Sequence, residues 1–207
     1  MSTPAVLVVA SSNPGKVREF RGLLEALEIE IQEQPEGIIV NETENTFAAN
    51  ARIKAGVVAQ ATGMWAIGDD SGLCVEALGG KPGVLSARYG ENDKTRNERL
   101  MRELLNIGAK TPKERRARFT TALALADPNG KVIAEVQGSC EGIVLGREVG
   151  RNGFGYDSLF YVKEASMSLG EMNEKQKAKY GHRGKATRKL IELMREERIK
   201  ITNNTIN

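Results

Sequence analysis

Residues 5 to 10 read AVLVVA, apolar at every position, and SSNPGK follows at once. A valine-rich run this short predicts a buried strand rather than a helix. Beyond it, Asn13 has the chemistry of an N-cap and Pro14 that of a first helical residue. Val17, Phe20, Leu23, Leu24 and Leu27 then recur at helical spacing, with Arg18, Glu19, Arg21 and Glu25 between them. A buried strand handing its chain through a polar turn to an amphipathic helix is the start of a sheet with helices laid on it.

The rest of the chain keeps the alternation. Residues 29 to 40 read as a strand broken by Pro35 and Gly37, and Thr46 as the cap of a second helix reaching about Ala61. WAIG, 65 to 68, predicts a short strand ending in DDSG. Residues 79 to 90 read as a loop, and Leu100, Met101, Leu104 and Leu105 as the apolar stripe of a third helix. Phe119, Thr121, Leu123 and Leu125 alternate as in a strand, DPNG turns a hairpin, and a second arm returns. A glycine-rich loop, GREVGRNGFGYD, leads to the short strand SLFYV. Two helices close the chain, around 173 to 180 and 183 to 198, before a frayed tail, TNNTIN. The expectation is a mixed α/β fold over residues 1–207 as one domain, with parallel and antiparallel parts of a single sheet.

Composition narrows the function classes. No run of about 18 apolar residues predicts a membrane span, and the N-terminus lacks a secretory signal pattern. Two cysteines, Cys74 and Cys140, make no disulfide framework, and one histidine excludes a histidine-rich metal site. A cytoplasmic setting is expected. A net charge of +3 with mixed signs argues against a nucleic-acid coat, and 5% aromatics against stacking platforms. A local cationic pocket for a small anion is still allowed.

Five stretches carry candidate chemistry. In SSNPGK, Ser11, Ser12 and Asn13 can donate to phosphate oxygens, Pro14 and Gly15 shape the turn, and Lys16 adds a full charge at a helix N-terminus. The spacing is not that of a P-loop, and the same residues suit an ordinary capped helix. IGDDSGL offers Asp69 and Asp70, whose side chains point opposite ways on an extended backbone; one carboxylate could meet a hard cation. Asp-rich turns need no such role. NETENTFAANARIKA places Glu42 and Glu44 before a helix start, as metal ligands or dipole complements, and Lys54 deep in the helix. NGFGYD presents Phe154 and Tyr156 on a glycine backbone, suited to a planar base or to a hydrophobic plug. In KAKYGHRGKA, Lys177 precedes the only histidine, His182, which adjoins Arg183 at a helix start.

Together and in this order, SSNPGKVREF, NTFAANARIKA, IGDDSGLCVEALGGKPGVLSARYG, NGFGYDSLF and GHRGKA resemble the inosine triphosphate pyrophosphatase family, the bacterial dITP/XTP pyrophosphatases. The likeness spans about Ala5 to about Arg195. It implies an elongated α/β sheet flanked by helices, with two lobes and a cleft between them, a homodimer, and Mg²⁺-dependent cleavage of non-standard purine nucleoside triphosphates to monophosphate and pyrophosphate. By motif, Ser11 to Lys16 would cradle phosphates with Lys54 and Lys177 assisting. Asp70 would be proton acceptor and metal ligand, and Ser71 would contact substrate. Phe154, Gly155, Tyr156, Asp157, His182 and Arg183 would bind the nucleotide, chiefly at its base. The pattern departs from the family at Asn41, Ala49, Ser158 and Gly181; Asn41 stands where a metal-binding Glu is usual, so Glu42 is the expected ligand beside Asp70. Rival readings are a broader nucleoside triphosphate pyrophosphatase of the Maf-like kind, acting on modified pyrimidines, and a nucleotide-binding module without turnover.

Overall fold

The structure, a computed structural model, describes residues 4–202. The expectation of a frayed tail therefore falls almost wholly outside the described residues. The elements follow as β1 (Val6–Ala10), α1 (Pro14–Leu23), β2 (Glu30–Glu33), α2 (Phe47–Thr62), β3 (Trp65–Val75), α3 (Asp93–Asn106), β4 (Arg116–Ala126), β5 (Val132–Val144), β6 (Phe160–Val162), β7 (Met167–Ser168), α4 (Glu174–Tyr180) and α5 (His182–Glu196). The seven strands form one mixed sheet in the order β2-β1-β3-β4-β5-β6-β7. β1 runs parallel to both β2 and β3, and β6 antiparallel to β5 and β7.

The chain divides into two compact units. Among the described residues, one comprises 4–70, 122–138 and 186–202; the other comprises 71–121 and 139–185. In the first, alternate residues of β1 enter different clusters. Leu7 and Val9 pack with Val17, Phe20 and Leu24 from the α1 side and Leu190 and Met194 of α5. Val8 and Ala10 pack with Ala51, Ala55, Val58 and Ala59 of α2. That is why AVLVVA has no polar position: helices cover both faces of the strand. In the second unit, Leu100 and Leu104 of α3 pack with Leu73, Phe119, Cys140, Tyr156, Phe160 and Leu169.

Local chemistry sets the element ends as expected in most places. Asn13 caps α1 with Pro14 in the first turn, and the Thr46 side chain accepts from Ala49 N to cap α2. The DPNG hairpin closes with Asp127 N donating to Lys131 O at 2.9 Å.

Four expectations need correction. Regular helix ends at Leu23, with a single 3₁₀ turn over Glu25–Leu27. The strand read over 29 to 40 is only β2, because Pro35 and Gly37 end it and the chain stays irregular up to α2. Leu105 is 63% exposed, so the apolar stripe of α3 is narrower than four leucine-type positions suggest. Above all, DDSG is not a turn. β3 runs through it to Val75, with Asp69 and Asp70 both buried in mid-strand. The stretch reads as a turn because turns favour Asp, Ser and Gly; in the interior the two acids are paired with lysines from other elements.

Candidate active site

In the first unit, β1 ends at the Ser11–Lys16 turn and the parallel β3 delivers Asp69 and Asp70 beside it. The close fit of α2 on β3 depends on Gly68, where a Cβ would stand 2.1 Å from Ala51 O and 2.8 Å from Ala55 N. No side chain fits there. With the backbones this near, Asn50 and Lys54, one helical turn apart, reach the strand from the same face of α2.

The two adjacent acids have separate lysines. Lys16 Nζ lies 2.9 Å from Asp69 Oδ2. Lys54 Nζ lies 3.3 Å from Asp70 Oδ1 and also pairs with Glu42. Both ammonium groups converge on the carbonyl oxygen of Asp69, at 3.4 Å from Lys16 and 3.1 Å from Lys54. The other oxygen of Asp70 accepts from Asn50 Nδ2 at 3.1 Å. Asn50 is itself fixed by Glu44, whose N–H it accepts and whose carbonyl it donates to. Each of the two carboxylates, pointing opposite ways along the strand, thus meets a lysine.

Burial is the largest influence on Asp70 and raises its pKa; the charge of Lys54 and the hydrogen bond from Asn50 pull it back, and Glu42 pushes it up, with a net rise. Burial works to lower the pKa of Lys54, but Asp70, Glu42 and Asp69 together outweigh it, so its ammonium holds the proton more tightly than in water. Lys16 is near enough to Asp70 for its charge to be felt there.

The turn before α1 satisfies itself. Ser11 Oγ accepts from Asn13 N at 3.1 Å, and Asn13 Oδ1 accepts from Gly15 N at 2.9 Å and Lys16 N at 3.4 Å. Ser12 lies beside them, exposed. An anion at this helix end would meet Lys16 and the hydroxyls first, and the Gly15 and Lys16 amides only by displacing Asn13.

Three carboxylates (Glu42, Asp69, Asp70) thus gather around two ammonium groups. Hard oxygen donors of this kind suit a cation such as Mg²⁺, which takes one or two protein carboxylates and completes its shell with water and phosphate oxygens. Glu42 and Asp70, joined across Lys54, fit that pattern. No group of three or more His, Cys, Asp or Glu able to hold a metal occurs among the described residues.

The second unit holds the remaining candidates. Ser71 follows Asp70 in the chain, and its Oγ lies 3.1 Å from Nη2 of Arg183, a buried arginine. The Arg183 guanidinium also lies 5.9 Å from the centre of the Phe154 ring. His182 is buried and stacks on Phe119, with centroids 4.7 Å apart and planes 11° from parallel. Gly184 lets α5 begin directly after α4, since a Cβ there would lie 2.0 Å from Ala178 O. That tight junction sets His182 and Arg183 at the electropositive start of α5.

The loop over 154–157 is held at each residue. Asp157 accepts from Lys177 Nζ at 2.5 Å and from Phe154 N at 3.2 Å. Gly155 N donates to Asp93 at 2.7 Å. Tyr156 takes the plug reading: its ring is in the core, and its hydroxyl donates to Ser86 O at 3.0 Å. Of the two aromatic rings, Phe154 alone is partly exposed.

The structure brings in Asn50 and Asp93, which the sequence did not single out, and gives Asp69 a partner. Asn50 was detectable, because it lies four residues before Lys54 on one helix. Asp69 was seen but given no partner, and Asp93 gave no signal at all.

Comparison with known proteins follows the same segments. A profile described as the Ham1 family matches residues 7–193. The chain is 51% identical over 184 residues to a dITP/XTP pyrophosphatase of Synechococcus sp. (strain CC9311), covering 89% of this chain and 87% of that protein. It is 46% identical to the dITP/XTP pyrophosphatase of Gloeobacter violaceus, over 89% of this chain and 92% of the other. A solved HAM1 protein from Coxiella burnetii matches with a TM-score of 0.80 at 35% identity, over 93% of this chain and 99% of that one.

Proposed function

The chain belongs to the Ham1 family, and from that premise we propose that it hydrolyses non-standard purine nucleoside triphosphates (ITP, dITP and XTP) to the monophosphate and pyrophosphate. Two relatives of about half-identical sequence carry the name dITP/XTP pyrophosphatase. The observation that carries the reading is the meeting of Lys16 and Lys54 on one backbone oxygen beside the buried carboxylate of Asp70. Ammonium groups next to a poised acid are what polyphosphate hydrolysis needs.

In this reading Lys16 and Lys54 exchange their carboxylate partners for phosphate oxygens when the nucleotide arrives. Ser11 and Ser12 donate to the same phosphates. Asp70 holds a water in line with the α-phosphorus and accepts its proton; burial, by raising its proton affinity, makes it a better base than a solvated aspartate. Asn50 keeps that carboxylate oriented. Glu42 and Asp70 would hold Mg²⁺, which supplies charge neutralisation for the leaving pyrophosphate. Lys177 assists at the phosphates, taking Asp157 as its counter-ion.

Base choice falls to His182 and Arg183. The amides of Phe154 and Gly155 are already spent on Asp157 and Asp93. Donors at His182 and Arg183 would pair with the 6-oxo group of hypoxanthine or xanthine and oppose the 6-amino group of adenine. A site built on such hydrogen bonds can discriminate by about 10⁴. The enzyme is expected to work as a cytoplasmic homodimer, the dimer to be read by sedimentation.

The test is a steady-state panel of ITP, dITP, XTP, dUTP, GTP and ATP, with and without Mg²⁺, scoring pyrophosphate. Preference for the 6-oxo non-standard purines supports the reading. Preference for modified pyrimidines would replace it by the broader pyrophosphatase, and binding without pyrophosphate release by a nucleotide-binding module.

A further inference from the structure

Resting on that reading, we propose that Asp93 is a positioning residue for the base subsite: it fixes the Phe154–Gly155 turn from the first residue of α3. The turn needs fixing. Gly153 has φ +87° and Gly155 φ +62°, on either side of Phe154. Glycines at such angles have many alternatives open to them when nothing holds them, and the direction of the Phe154 ring depends on both.

Two carboxylates from different parts of the chain select one conformation. Asp157, three residues on, accepts the Phe154 N–H. Asp93, 62 residues away in sequence, accepts the Gly155 N–H at 2.7 Å. A charged acceptor makes that bond about twice as strong as a neutral one. Asp93 is aimed in turn by Arg96, whose Nη1 lies 2.7 Å from its other oxygen and whose Nε donates to Gly90 O at 3.2 Å. The Asp93 side chain is half exposed, so core packing does not account for its place. With Asp93, Asp157 and the Tyr156–Ser86 bond all engaged, the Phe154 ring is kept within reach of the Arg183 guanidinium. Asp93 acts through Gly155.

Asp93→Ala removes the acceptor. Asp93→Asn keeps a carbonyl oxygen for the Gly155 amide and gives up only the charge. With ITP as substrate, KM in Asp93→Ala is expected to rise about tenfold with kcat changed less than twofold, and Asp93→Asn to recover most of the loss. In ¹⁵N-labelled protein the Gly155 amide should be protected from exchange in the wild type and exchange at least tenfold faster in Asp93→Ala. An unchanged KM in a folded Asp93→Ala overturns the proposal, as does an Asp93→Asn no better than alanine or an unprotected wild-type Gly155 amide. Wild-type protein that releases no pyrophosphate from any triphosphate would instead overturn the proposed activity. The exchange measurement would still decide the clamp, even if Asp93→Ala failed to fold.

Discussion

Asp70 is 5% exposed, sits in the middle of a strand, and is covered by a lysine and an asparagine from a helix. Replacing it by asparagine keeps the size and loses the proton acceptor; kcat should fall by about 10² to 10⁴, with the far-ultraviolet circular dichroism of the wild type. A kcat within a few-fold of normal would remove Asp70 from the chemistry. Cys140 makes a separate residue-scale prediction. Full burial pushes its thiol up to about 11, against about 8.5 for a free thiol. The folded chain therefore favours the protonated form. The stability this adds is complete below about pH 8.5 and is lost as pH climbs towards the folded value. Native protein at pH 8.5 should react with iodoacetamide at Cys140 far more slowly than urea-unfolded protein, as read by peptide mass mapping. Equal rates would contradict the burial.

At the scale of elements, the contact between α2 and β3 carries both stability and chemistry. Gly68→Ala forces a methyl to within 2.1 Å of a helix carbonyl. Overpacking of this kind costs about 1–3 kcal/mol. Because α2 also carries Asn50 and Lys54, kcat should drop even at temperatures where the variant is fully folded. A variant with a lowered Tm but normal kcat would show that the helix position does not matter to the site. Thr46→Ala, at the start of the same helix, loses the bond to Ala49 N and should cost about 1 kcal/mol in urea unfolding.

At the scale of the whole molecule, each buried carboxylate of the candidate site already has a protein cation within reach. Chelation with EDTA should abolish turnover and leave the circular dichroism spectrum and Tm in place; a cooperative loss of structure would mean that the cation is part of the fold. Much of the architecture was legible in the residues, and unevenly so. Asn13, Thr46, the DPNG turn and the two closing helices declared themselves because caps, turns and helical stripes are made between neighbours in the chain. DDSG misled for the opposite reason: its surroundings are supplied by Lys16, 53 residues before Asp69, and by Lys54.

What the amino-acid order determined by itself was most of the elements, their order, and the motif constellation that marks the Ham1 family, since all of these rest on interactions within a few residues or on residue types at fixed spacing. What only the tertiary structure decided was the pairing: which lysine neutralises which aspartate, that the two acids lie inside a continuous strand, and that Asp93 reaches Gly155. Electrostatics and steric fit act through space, and the distance between two charges is set by how the sheet brings remote segments together.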